Sequence, residues 1–225
     1  MNQRFFDILF SGSAILLIFP LMIPIILILR LTGEGEIFFL QKRVGKNGRL
    51  FNLFKFATML KNSPNVGTGT VTLKNDPRIL PIGNILRKSK INELPQLFNI
   101  FKGDMSVVGP RPQSSRNFSA YSEDTQKTIM LVSPGLTGLG SIFFSNEEAM
   151  LTSDVNHDEF YASVIMSYKG QLEVWYVDHR TIVVDLKIIY ATAIKIIFPA
   201  LRLNLSKLFD GIPNPPKALQ SFWRS

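Results

Sequence analysis

The feature that most constrains this chain is an uncharged run near its start. No charged residue lies between Asp7 and Arg30, so Ile8 to Leu29 form 22 consecutive uncharged, mostly apolar positions. As a straight helix at ~1.5 Å per residue, such a run reaches ~33 Å, enough to cross a bilayer core of ~30 Å. The run is too long for the apolar core of a cleaved signal peptide, and no small-x-small cleavage site follows it. Pro20 and Pro24 interrupt it, and each proline removes a helix hydrogen bond and bends the helix. Basic residues flank both ends, with Arg4 before the run and Arg30, Lys42 and Arg43 after it. A spanning helix carries its Lys/Arg excess on one side. The expected arrangement is therefore a re-entrant helix-break-helix over residues 1–32. It breaks at Pro20 and keeps both ends on the cytoplasmic face. A true span and a buried core helix are the alternatives.

Charge is as unevenly placed as apolarity. The 225 residues carry a formal net charge of +8. Residues 1–113 hold 15 Lys+Arg against 6 Asp+Glu, and residues 114–225 hold 10 against 11. The basic half calls for an anionic partner: a phosphorylated substrate, a membrane surface or nucleic acid. Nucleic acid is disfavoured, because the cations adjoin a membrane segment and no recognition motif is present. Cysteine is absent and only His157 and His179 supply imidazoles. Disulfides, thiolate metal sites and a Cys nucleophile are thereby excluded. The available chemistry narrows to carboxylates and cations.

The middle of the chain reads as α+β, mostly helical. Glu36–Gln41 and Leu50–Met59 are expected strands around a Lys46-Asn47-Gly48 turn, a hairpin signal. Residues 61–76 are polar and glycine-bearing, and read as a loop. Ile79–Arg87 and Asn92–Phe101 are expected helices; Pro95 sits in the first turn of the second and Gly103 ends it. Residues 109–113, GPRPQ, must be extended. A polar helix is expected over 114–131 and a glycine-rich turn over 133–140. Thr181–Phe198 places Ile182, Leu186, Ile189 and Ala193 at helical spacing. It reads as an amphipathic helix at a membrane interface, or equally as a packed helix of a soluble domain. The expected organisation is a membrane hairpin (1–32), a cytoplasmic domain (33–180) and an amphipathic helix with tail (181–225).

The dense chemistry lies in 74–113, KNDPRILPIGNILRKSKINELPQLFNIFKGDMSVVGPRPQ. Arg78, Arg87, Lys88, Lys90, Lys102 and Arg111 surround only Asp76, Glu93 and Asp104. A carboxylate among clustered cations is what phosphoryl transfer on a Mg²⁺–diphosphate requires: the acid holds the hard metal, and the cations neutralise the moving phosphoryl group. Standard nucleotide motifs are missing. VGKNGRL lacks P-loop spacing, and GLTGLG is not GxGxxG.

These residues carry a resemblance. Pro20, IFFLQKRVGKNGRLFNLFKF, DPRIL, LRKSKINELPQLFNIFKGDMSVVGPRP, SPGLTGL and YVDHRTIVVDLKII resemble the bacterial sugar transferases, the monotopic phosphoglycosyl transferases that start lipid-linked glycan assembly. The resemblance runs to about residue 198. It implies transfer of a sugar-1-phosphate from a UDP-sugar to undecaprenyl phosphate, with release of UMP. The setting it implies is the cytoplasmic face of the bacterial inner membrane, with Mg²⁺ as cofactor. It is also compatible with a homodimer and with other glycan-assembly enzymes as partners.

One departure stands out. Where the family has an Asp-Glu pair, this chain has Asn92-Glu93. The family Asp is the covalent nucleophile and the Glu helps to bind Mg²⁺. An amide is isosteric with a carboxylate but uncharged and a very poor nucleophile toward phosphorus. Three readings stay open. Glu93 takes the phosphoryl group, or the lipid phosphate attacks directly. Alternatively, Asn92 is an engineered change that stops turnover. Or the chain is an inactive relative acting as a membrane-bound nucleotide-sugar or polyprenyl-phosphate binder or scaffold. Two smaller departures are Ala57, where the family has a basic residue, and LGSIFFSNEE, where it has a segment ending in Arg.

The roles implied are as follows. Glu93 is the Mg²⁺ ligand and candidate nucleophile, and Asn92 orients a phosphate oxygen or water. Arg87 and Arg111 bind the diphosphate bidentately, and Lys55, Arg78 and Lys88 assist. Pro20 makes the hairpin break. Asp104 is expected to tie a turn, and His179 to lie at the surface.

Overall fold

The computed structural model describes residues 3–66, 76–145, 160–199, 201 and 203–220. Most of the expected loop over 61–76 and the negatively charged end of LGSIFFSNEE lie outside these residues, as does His157. The chain divides into two compact units, residues 1–42 with 52–105, and residues 43–51 with 106–225. This is a division by contacts, different in kind from the division by solvent expected at residues 32 and 180.

The first unit opens with α1 (Gln3–Leu31), one helix with Pro20 and Pro24 inside it. The expected break at Pro20 is thus not a termination. A proline deletes a single hydrogen bond, and the turns on both sides keep theirs. The C-terminal half of α1 packs Met22 and Leu29 against Phe56 and Leu86. Its middle is bare, with Leu16 79% and Leu17 83% exposed. Strands β1 (Phe38–Val44) and β2 (Leu50–Phe56) pair as a hairpin, close to expectation. At its tip Asn47 and Gly48 have φ of 56° and 73°. Two successive left-handed residues make the turn whose twist matches the strands.

Helix α2 (Pro81–Lys88) follows, then a single 3₁₀ turn over Ile91–Glu93, then α3 (Gln96–Lys102). The expected helix Asn92–Phe101 is therefore split. Pro95 has no N–H to offer the Ile91 carbonyl; Leu94 donates to that carbonyl instead, at 3.1 Å. The 3₁₀ turn closes there and α3 starts afresh. Gly103 ends α3 at φ 102°.

In the second unit β3 (Ser106–Val108) lies parallel to β4 (Gly135–Thr137), with Ser106 opposite Gly135 and Val108 opposite Thr137. The expected turn over 133–140 is instead this strand and the start of α6 (Leu139–Phe143). Close approach makes it possible: a Cβ on Gly135 would sit 2.1 Å from the Gly109 nitrogen. Only glycine lets the SPG and GPRP backbones touch. The expected helix over 114–131 is two short helices, α4 (Ser115–Phe118) and α5 (Glu123–Ile129). Ser114 and Ser122 each accept an N–H from the third residue onward, at 3.3 Å in both cases. The second cap starts a new helix rather than continuing the first.

A π-helical turn over Tyr161–Met166 leads into α7 (Ser167–His179), followed by α8 (Ile182–Ile197) and α9 (Leu205–Leu208). Helix α8 buries Ile188 and Ala191, whereas Val183, Leu186, Tyr190 and Ile197 on another face are exposed. His179 is exposed at the end of α7, its ring stacked on Trp175 at 4.5 Å.

Gly135→Ala tests the contact between β4 and the GPRP segment. It should lower stability by at least the ~1–3 kcal/mol typical of overpacking, read as a fall in Tm in detergent. An unchanged Tm would show that the two backbones do not touch.

Candidate active site

In the first unit the site is assembled on three pieces: β2, α2 and the 3₁₀ turn before α3. Lys90 enters that turn with φ 60°. Its N–H bonds the Arg87 carbonyl at 3.1 Å, and its own carbonyl accepts from Glu93 at 3.0 Å. A continuous string of tight turns thus carries Arg87, Lys88, Asn92 and Glu93. Arg87 is half-buried and Lys88 exposed. The Arg87 guanidinium Nη1 reaches the Met59 sulfur at 3.6 Å.

Asn92 is 8% exposed, and its Oδ1 is buried without a hydrogen-bond partner among the described residues. An unmatched buried carbonyl oxygen costs ~1–3 kcal/mol, a cost that a bound donor or cation would remove. Glu93 beside it is half-buried. Among the described residues no cluster of three His, Asp or Glu is present. Two hard oxygen donors, the Glu93 carboxylate and Asn92 Oδ1, nevertheless lie in one turn. That suits an ion such as Mg²⁺, which takes one or two carboxylates and completes its shell with phosphate and water.

Lys55 is half-buried on β2, and the strand that carries it is fixed by Asn99. This fully buried amide accepts the Phe54 N–H at 2.9 Å and donates to the Asn52 carbonyl at 2.8 Å. Asn99 lies on α3, so β2 is tied to the helix that follows Asn92 and Glu93. Asp104 closes the end of α3, accepting from Asn99 Nδ2 at 3.4 Å and pairing with Lys102 at 3.2 Å.

Arg78 is held differently from the other cations. It is buried and paired bidentately with Asp76, Nε to Oδ1 at 2.8 Å and Nη2 to Oδ2 at 2.5 Å. Its Nη1 serves the carbonyls of Ser63 and Val66, both at 2.7 Å. These contacts make it the anchor of the 63–66 turn.

Arg111 belongs to the second unit, where it is half-buried in the GPRP segment. Its backbone N–H donates to Glu173 Oε1 at 3.3 Å. Glu173, on α7, was not singled out from the sequence. It is 1% exposed, and its Oε2 lacks a partner among the described residues. It sits against glycine: a Cβ on Gly140 would fall 2.4 Å from Oε1. Burial pushes its carboxyl up to about 7, against the opposing pull of the Arg111 N–H and the charges of Lys169 and Arg111. Ile165, Lys169, Leu172 and Tyr176 share one helical face and are all buried, and Glu173 adjoins that stripe with Lys169 one turn before it.

This fold and site can be set beside known proteins. The family model described as bacterial sugar transferase matches residues 1–199. The chain belongs to this family. It is 35% identical over 206 residues to the undecaprenyl-phosphate galactose phosphotransferase of Salmonella typhimurium, covering 85% of this chain and 39% of that protein. It is 34% identical over 190 residues to the exopolysaccharide production protein ExoY of Rhizobium meliloti, covering 75% and 83%. With the undecaprenyl-phosphate glucose phosphotransferase of Komagataeibacter xylinus it shares 34% identity over 203 residues, covering 88% and 36%. The chain thus spans well under half of the two phosphotransferases and most of ExoY.

The Glu173 carboxyl sets a pH dependence. Its folded value is raised from 4.5 to about 7, so the folded chain keeps a proton that the unfolded chain releases. Stability is full below pH ~4.5, falls as pH climbs to about 7, and is level above. The total loss is roughly 3 kcal/mol at ~1.36 kcal/mol per unit. Urea unfolding at pH 5 and pH 8 should show this fall in the parent and a flatter profile in Glu173→Gln. Equal slopes in the two would contradict it.

Proposed function

We propose that this bacterial sugar transferase moves a sugar-1-phosphate from a UDP-sugar to undecaprenyl phosphate, at the cytoplasmic face of the bacterial inner membrane. The observation that carries the reading is the Asn92–Glu93 turn. It presents a buried, unpartnered oxygen and a carboxylate, in the same unit as a helix whose apolar middle is exposed. The names of the Salmonella and Komagataeibacter relatives point to the same lipid acceptor.

In the reaction an oxygen nucleophile forms a bond to the sugar-bearing phosphorus. The bond from that phosphorus to the bridging oxygen breaks, and its electron pair leaves with UMP. Asn92 cannot be that nucleophile, because its amide oxygen carries no charge. Two sources are open: the phosphate of undecaprenyl phosphate itself, or the Glu93 carboxylate. If Glu93 attacks, the lipid phosphate then displaces it at the same phosphorus. Asn92 orients the approaching group by hydrogen bonding, its Nδ2 donating to a phosphate oxygen. Arg87, Lys88 and Lys55 supply positive charge in the first unit, and Arg111 in the second. Mg²⁺, held by Glu93 and Asn92, would neutralise charge on the diphosphate. Asn92 also favours a second reading, a disabled relative that binds nucleotide sugar or polyprenyl phosphate without turnover.

We read α1 as re-entrant. Arg4 near its start bonds carbonyls of α3, and Leu29 near its end packs with Phe56 and Leu86. Both ends thus rest on one unit while the middle is bare. Pro20 and Pro24 are the points where the helix can bend. The exposed apolar face of α8 suits an interfacial helix.

UMP release from a panel of UDP-sugars, with undecaprenyl phosphate and Mg²⁺, tests the function. The parent should release UMP with at least one donor, and Glu93→Gln should lose at least 100-fold without loss of fold. Activity confined to Asn92→Asp would establish the disabled reading. For the topology, tags before residue 1 and after residue 225 should label from the same face; labelling from opposite faces would make α1 a span.

A further inference from the structure

The first turn of α1 grips another helix. Arg4 donates from Nη1 to the carbonyl of Ile100 and from Nη2 to that of Phe101, both at 2.6 Å. These carbonyls belong to the last turn of α3, where that of Ile100 also accepts the Gly103 N–H at 3.0 Å. A cation there also meets the negative end of the helix dipole. The seam continues along α1. Asp7 and Ser11 are buried, and Ser11 Oγ donates to the Asp7 carbonyl at 2.5 Å. At Gly12 a Cβ would lie 3.4 Å from the Phe101 ring.

Helix α3 has an apolar exposure of its own. Phe98 and Phe101, one turn apart, are 39% and 50% exposed, and α1 exposes Phe5 and Leu9 near the clamp. The other end of α3 begins at Gln96, three residues after Glu93. Seven residues of helix span only ~10 Å. The clamped end and the catalytic turn are therefore joined by a short, stiff strut.

We propose that Arg4 is a positioning residue for the lipid acceptor. By fixing α1 to the last turn of α3, it seats Phe98 and Phe101 in the bilayer surface. That sets the depth at which the Asn92–Glu93 turn meets the acceptor's phosphate. The proposal rests on the lipid-acceptor reading given above. Its consequence is selective: a nucleotide sugar arrives from water and is indifferent to depth, whereas an embedded lipid phosphate is not.

The test uses the full chain in nanodiscs of phosphatidylethanolamine and phosphatidylglycerol. Arg4→Ala should raise KM for undecaprenyl phosphate about tenfold and leave KM for the UDP-sugar within twofold. Arg4→Lys, which replaces the fork by a single ammonium, should fall between. An equal rise in both KM values, or a fall in kcat alone, would overturn the proposal. A second readout is independent of turnover. The chain has no cysteine, so a fluorophore on Phe98→Cys is a unique label. Nitroxide lipids should quench it, and Arg4→Ala should at least halve that quenching. Quenching unchanged by Arg4→Ala would overturn the clamp whatever the activity. Quenching that falls as expected, in a protein whose parent releases no UMP, would sustain the clamp and reject the transferase reading beneath it.

Discussion

The site in the first unit depends on one buried amide. Asn99 accepts from Phe54 and donates to Asn52 on β2, and its own carbonyl receives the N–H groups of Gly103 and Asp104. It thereby joins the strand carrying Lys55 to the helix that follows Asn92 and Glu93. A buried amide satisfied on both of its polar atoms is rigid and specific, because each lost partner would leave a costly orphan. On that fixed frame a second, looser requirement is met: Asn92 Oδ1 is left without a partner. The contrast between the two asparagines separates framework from function. One is saturated by the chain, and the other keeps an oxygen without a partner among the described residues.

Much of this was legible in the sequence. The Asn47-Gly48 turn announced the hairpin because only residues tolerant of left-handed backbone make that turn. The apolar run from Ile8 to Leu29 announced α1. Other features depend on partners distant in the chain. Nothing local to SPGLTG says that it will be a strand, since the reason is the Gly109 backbone against which Gly135 packs. Arg78 looked like a phosphate ligand among cations, but Asp76 and two carbonyls occupy it. Glu173 was hidden because a carboxylate in an ordinary helix sequence reveals its burial only when the opposing face, Gly138 and Gly140, is known. Pro20 reads in the sequence as a break, and α1 nevertheless runs through it as one helix, because the turns on both sides keep their hydrogen bonds.

Asn92 joins these themes. An amide has the shape of a carboxylate without its charge, so the framework around Asn92 can be intact while its chemistry differs from that of an Asp. The surrounding parts are in place. Glu93 shares the turn, Arg87 lies on the helix just before it, and the Asn99 staple holds β2 behind. In the second unit the GPRP segment is held from beneath by Glu173, a carboxyl that burial makes reluctant to ionise. These are the residues that the transfer proposed above would use, with the nucleophile supplied by Glu93 or by the acceptor lipid.

The most direct measurement follows the phosphorus atom. A panel of UDP-sugars labelled with ³²P in the sugar-bearing phosphate is incubated with the full chain, undecaprenyl phosphate and Mg²⁺, and the organic phase is counted. Label entering the organic phase together with the sugar, in step with UMP release, is the expected result. Label that stays in the aqueous UDP-sugar, while the protein binds that UDP-sugar fully, would contradict phosphoglycosyl transfer by this chain.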